Sequence, residues 1–529
     1  MNEKQISKFL EEQTAQIKVL YINLQKSYWN AATTGKKEFY QQYEQYQKET
    51  AKFFNSSENF KKVKEFLEFK TTNPLINRQL EVLYNNYLSN QGDLELLNKI
   101  VEKSTAIEQK FNLFRAKVNG KELSDNEIKN ILREETDSKK LQEAWEASKK
   151  QGEIVAKDLI ELIKLRNQLA RSLGFENYYL LALETNEQKE KDIKKIFDDV
   201  EKATKNTFKK LKDELDEFLK KRYKVSELKP WHYQDLFFQE DPKNYGVNLN
   251  EFYNEDILEK AKKFYLSIGI DISKILERSD LYERKDKYQH ACCMDMDREG
   301  DVRTIMNIKN TEKWMETVLH ELGHGSYQLF IDKNLPFLIK DNAHTLTTEA
   351  IAQLFGRNSK NIYFIEKFCN IKKEILDKIA EDIAETLRLR QLIFSRWSQV
   401  MFNFEKELYK NPEQDLNKLW WSMVKKYQLI DFSRDMPDWA SKIHFVSSPV
   451  YYHNYLIGEL FASQINNHIA KKILGENSIK NIDYSGKKQI GDYLKSNIFQ
   501  PGMTCKWNEL IKNSTGEELN PKYYVEEFC

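Results

Sequence analysis

Only eight histidines occur in the 529 residues, and two of them flank a glutamate in the stretch His320-Glu321-Leu322-Gly323-His324. On a helix, side chains four apart project from one face, so His320 and His324 can bind one ion together. Glu321 sits about 100° round the helix from His320. From there it cannot easily ligate the same ion, but it can reach a water beside it. Composition alone would give this spacing by chance in roughly 1 % of such chains. Two buried histidines with local partners is therefore the weaker reading.

A catalytic zinc ion takes three protein ligands and leaves a position for water. The third ligand is expected downstream on a second helix. The stretch TLTTEAIAQLFGRN offers Glu349, with His344 just upstream as its competitor. Ala350, Ile351 and Leu354 mark an apolar helix whose early turn can face the first, which favours Glu349. The implied chemistry is hydrolysis. One zinc ion per chain would acidify water and polarise a carbonyl, and Glu321 would carry a proton from that water to the leaving amine. The motif does not reveal the donors to the oxyanion.

These residues need a frame. Glycine (17) and proline (9) are scarce and no linker-like tract interrupts the chain, so one large, mainly helical body is expected over 1–529. Charge is balanced, 83 basic against 82 acidic residues, which leaves no electrostatic footprint for nucleic acid or an anionic membrane. No apolar run reaches the length of a membrane span, the first residues lack the apolar core of a secretory signal, and five scattered cysteines fit a reducing compartment. The expectation is a cytoplasmic protein.

Helical periodicity covers residues 5 to about 118, about 137 to 173 with Gly174 at the C′ position, and about 186 to 222. Ser124 is a plausible N-cap, and Asn310 or Thr311 another. An irregular, aromatic-rich segment opens at Pro230. Residues 286 to 308 break the period: two β-prone runs flank a turn at Gly300, which predicts a hairpin. From 311 the helical period resumes to about 510. The pattern is that of an all-α fold with a cleft and one small hairpin beside the key motif.

Several further stretches, LIKLRNQLARSLGF, PWHYQDLFFQE, HACCMD, TTEAIAQLFGR, LWWSMVKKYQ and KIHFVSSPVYYHNYLIGE, occur in an order that resembles the angiotensin-converting-enzyme family of zinc peptidyl-dipeptidases, its bacterial cytoplasmic-type members in particular. The resemblance runs from about 160 to 460. It implies two lobes flanking a deep cleft, lid helices over about 1–140, and an active-site core over about 286–460. His290 and Ala291 match the histidine and alanine that hold substrate against an edge strand. Lys442 and Tyr452 match the residues that grip the substrate's terminal carboxylate, and His444 and Tyr455 those that stabilise the oxyanion. The tyrosine register assumes one inserted residue in Ser447–Val450, and Tyr451 is the rival.

Departures from the family pattern matter too. Val424 and Asn454 stand where chloride-binding arginines would be, so chloride activation is not expected. Gln289 and Ile305 replace a disulfide. Gln353 replaces an aspartate that braces a zinc histidine, which removes a charge from that brace. Cys292 and Cys293 read as small strand residues rather than a second metal site. The resemblance implies release of C-terminal dipeptides from short unstructured peptides, with no obligate protein partner evident. A thimet-type endo-oligopeptidase on the same fold is the alternative, and a non-catalytic peptide-binding relative the second.

Overall fold

A computed structural model describes residues 2–242, 247–288 and 290–529, apart from the side chain of residue 112. The chain is overwhelmingly helical, with short connections between long amphipathic helices. Its contacts divide it into two compact units. One comprises the chain up to Leu94 with Leu249–Ile383 and Ile457–Glu527; the other comprises Glu95–Asn248, Ala384–Leu456 and the last two residues. Among the described residues no helix is long and apolar enough to cross a membrane.

Most expected elements appear close to their predicted bounds, for reasons visible in their caps. Ser124 caps the helix Asp125–Glu134, its hydroxyl accepting from the Glu127 N–H while the Glu127 carboxylate returns the bond. The helix Ser138–Ser172 ends before Gly174, whose φ of +87° is the left-handed conformation that glycine tolerates. Glu190–Tyr223 follows. Thr311 is the N-cap of the helix that carries the histidine motif, Glu312–Leu329.

The structure corrects the reading at two points. Helix does not persist to residue 118. Ala116–Val118 (β1) and Lys121–Leu123 (β2) form an antiparallel hairpin. Asn119 and Gly120 both have positive φ, +51° and +79°, as the tight hairpin turn with an Asn-Gly centre requires. There are thus two small sheets among the described residues, where one was expected. The helical period from 311 to 510 is also interrupted, notably over 429–443, where Lys442 lies.

The expected hairpin is present as Cys292–Asp295 (β3) and Val302–Ile305 (β4), paired antiparallel with Cys292 opposite Ile305. On its other side β4 bridges to Asp280, so β3 is the edge. Gln289 lies outside the described residues. Ile305 is buried, and all five cysteines are free.

Candidate active site

Two helices of the first unit build the metal-ligand set. The motif helix Glu312–Leu329 buries Val318, Leu319 and Leu322, and Thr345–Gly356 is buried over nearly its whole length. They pack backbone to backbone. A Cβ added at Gly323 would stand 2.8 Å from the Ala352 Cα, closer than carbon atoms approach, so the spacing depends on the missing side chain. Gly458 is similar: a Cβ there would meet the Glu349 Cβ at 2.9 Å. The backbone thus closes on the helix of Glu349 at two places, at Ala352 and at Glu349 itself.

In this setting the two imidazole Nε2 atoms are 3.2 Å apart, and Glu349 Oε2 lies 3.7 Å from that of His320 and 3.8 Å from that of His324. One donor atom from each residue falls within 4.8 Å of the others. Ligands bound at about 2.0–2.1 Å in tetrahedral geometry stand roughly 3.3 Å apart, so the observed separations suit a single zinc-sized ion. The donor set, two neutral imidazoles and a carboxylate, suits zinc chemically as well. His344 takes a different place. It caps the second helix, its Nδ1 accepting from the Leu346 N–H at 3.0 Å.

The bracing of His324 was not foreseen. Its Nδ1 lies 2.7 Å from the Thr348 hydroxyl, so with Nε2 turned to an ion the Nδ1–H donates to that oxygen, fixing tautomer and ring plane. Gln353, expected near this role, is partly exposed, and its backbone carbonyl accepts from the N–H of the helix-capping Arg357. The signal for Thr348 was its position next to the ligand, one step before Glu349.

Glu321 is buried, at 7 % exposure. Burial, and secondarily the like charge of Glu349, push its carboxyl up to about 8; a cation among the three ligands opposes both effects. His324 is held well below the usual imidazole range by burial and by His320, which favours the neutral, ligating form.

Beside these residues, His290 is exposed and Ala291 immediately precedes β3. Cys293 Sγ donates weakly to Gln328 Oε1 at 3.4 Å on the motif helix. Burial pushes the Cys292 thiol up to about 12 and Cys293 well above its ordinary value.

The second unit contains the other predicted residues. Lys442 is buried, and its ammonium donates to Gln239 Oε1 at 2.8 Å. Three rings surround that ammonium, Trp397, Phe237 and Tyr452, at 5.1, 5.2 and 5.4 Å. Burial lowers its pKa to about 8, with Asp235 acting in the opposite sense. Tyr452 is fixed by the Trp397 indole N–H, which donates to its hydroxyl at 2.6 Å. The His444 ring lies 4.9 Å from that of Tyr452 and 6.3 Å from that of Tyr455, and the two tyrosines are 5.2 Å apart. Tyr452, rather than Tyr451, is thus the ring beside Lys442. Gln239 was missed by sequence reasoning, because nothing in LFFQE marks one amide as a partner of a lysine 203 positions away.

The two positions without arginine differ. Asn454 is in an amide–imidazole network: Gln188 donates to its Oδ1, and the other end of the Gln188 amide meets His453 Nε2, each at 2.8 Å. Val424 lines a small cavity with Trp420, Gln428 and Lys149. Lys149 is itself buried beneath the Phe237 ring, and desolvation lowers its pKa to about 7.

A mainly helical frame, two histidines one turn apart and a glutamate from the adjoining helix define a candidate metal centre of the His-Glu-x-x-His kind. Residues 1–229 and 241–524 match the model of the Peptidase M2 family, angiotensin-converting enzyme, and the chain belongs to that family. It is similar to angiotensin-converting enzyme of Mus musculus, 22 % identical over 284 residues, which cover 51 % of this chain and 21 % of that protein. Carboxypeptidase 1 of Bacillus subtilis is 22 % identical over 265 residues, 46 % of this chain and 52 % of its own length. An oligoendopeptidase F homolog of Borreliella burgdorferi is 24 % identical over 349 residues, 64 % of this chain and 57 % of its own. Each match spans less than two thirds of the relative's own length.

Proposed function

We propose that the protein is a zinc peptidase that hydrolyses short peptides and releases dipeptides from their C-termini. The convergence of His320, His324 and Glu349 carries the reading, with the buried Glu321 one residue along the same helix. His320, His324 and Glu349 would hold a zinc ion, which would supply Lewis-acid polarisation of the scissile carbonyl and of a water beside it. Glu321 accepts a proton from that water and returns it to the departing amine. Thr348 keeps His324 in the ligating tautomer. His444 and Tyr455 donate hydrogen bonds where charge develops on the carbonyl oxygen. His290 and the Ala291 backbone, at the edge of β3, hold the peptide in extended form.

Dipeptide release, rather than internal cleavage, is supported by Lys442. A buried ammonium paired to a neutral amide has charge left over for an anion, and a peptide's terminal carboxylate is the anion at hand. Gln239 and Tyr452 complete that grip. The likeness to an oligoendopeptidase F homolog over 64 % of this chain favours a second reading, endo-acting cleavage. One decapeptide, with free and with amidated C-terminus, separates the two. Dipeptide release from the free form, with the amide cleaved at least about tenfold more slowly, is the expected result. Equal cleavage of both at internal bonds would reject dipeptide release. The cytoplasm, where short unfolded peptides accumulate, is the setting we infer.

A further inference from the structure

Between the short helix His444–Ser447 and the helix that begins at His453, the chain must reverse for His444, Tyr452 and Tyr455 to face one another. Val450 sits within that reversal at φ +56°. A β-branched side chain rarely adopts this left-handed conformation, because its Cβ crowds the following carbonyl. Val450 is also buried. Such a residue persists only when its surroundings over-determine it.

The surroundings here are two buried ionisable side chains, Glu405 and Arg166. The Val450 N–H donates to Glu405 Oε1 at 2.7 Å, and Glu405 is only 3 % exposed. Arg166 grips the other end, donating to the carbonyls of Phe445 and Val446, each at 2.7 Å, and to the Tyr409 hydroxyl at 3.1 Å. A carboxyl is costly to bury, and burial pushes this one up to about 8 against the pull of the Val450 N–H and Arg166. A helix residue with only a packing role would be better served by leucine.

We propose that Glu405 is a positioning residue for His444, Tyr452 and Tyr455: its oxygen holds Val450 in the left-handed turn and so sets the angle at which those three rings meet. The effect on catalysis rests on the proposed function, but the clamp itself can be measured without it. In the zinc-loaded full chain, Glu405→Gln keeps an acceptor of the same reach, and kcat is expected to stay within about twofold of the unaltered protein. Glu405→Leu removes the acceptor. It is expected to lower kcat at least about tenfold with bound zinc unchanged, and to speed amide exchange in 447–452 while the motif helix stays protected. Adding Val450→Gly to Glu405→Leu is expected to recover most of the lost kcat, since glycine takes positive φ without help.

Unchanged exchange in 447–452 of the leucine variant would overturn the proposal. So would a loss that Val450→Gly leaves untouched, or one accompanied by loss of zinc, because either makes Glu405 a general stability residue. If instead Tyr455→Phe and Lys442→Ala leave peptide hydrolysis intact, the functional reading fails while the exchange result still decides the clamp.

Discussion

The metal centre and the lysine pocket are built in opposite ways. His320, Glu321, His324, Thr348 and Glu349 come from two successive helices, and helical period plus one close crossing is enough to converge them. Gln239, Trp397, Lys442 and Tyr452 come from four segments, and Lys442 itself follows a single 3₁₀ turn rather than sitting within a helix. The first region concentrates acceptors for a cation. The second buries a cation and surrounds it with rings. A periodic element can encode the former in a few residues. The latter has to be gathered from along the chain, and its strain shows at Phe238 and Val450, two bulky residues at positive φ that each adjoin a pocket segment.

Mutations can sharpen that contrast. Glu321→Gln is expected to lower kcat by about 10³-fold while metal analysis still finds one zinc per chain. A variant with comparable activity would remove Glu321 from the mechanism. Thr348→Val should weaken zinc by about 10–100-fold in competition with a chromophoric chelator, and wild-type affinity would show that the hydroxyl braces nothing. In the pocket, Lys442→Ala should raise KM for free-carboxylate peptides by about 30-fold, a cost of about 2 kcal/mol for a buried charge contact, and leave amidated peptides unaffected.

The same lysine predicts the smallest and most specific effect, a pH dependence. Its ammonium is lowered by burial to about 8, and only the protonated form attracts a carboxylate. KM for free-carboxylate peptides should therefore be flat below that pH and rise above it, whereas Lys442→Ala should be flat throughout. A KM that falls above pH 8 would contradict the assigned role.

Legibility follows the same division. The histidine motif could be placed because four-residue spacing has one meaning on a helix, and Glu349 because an apolar helix start gave it a face. His344, its competitor, caps the helix instead, its ring drawn to the Leu346 N–H. Thr348 and Gln239 were hidden, since each is defined by a partner rather than by a pattern: an imidazole 24 positions earlier and an ammonium 203 positions later. The hairpin at Asn119-Gly120 was legible in principle. An Asn-Gly pair flanked by alternating residues is a turn signal, but it lay at the end of a long helical stretch whose period masked it.

The absent side chain at Gly323 has one more consequence. The spacing of the donors in the first region rests on a close helix crossing, and that crossing is set by a hydrogen where another residue would place a methyl. Transplanting the five-residue motif onto an ordinary helix pair would carry over the histidines and the base but leave the carboxylate out of range. Whoever builds such a centre anew must begin with the crossing and add the ligands afterwards.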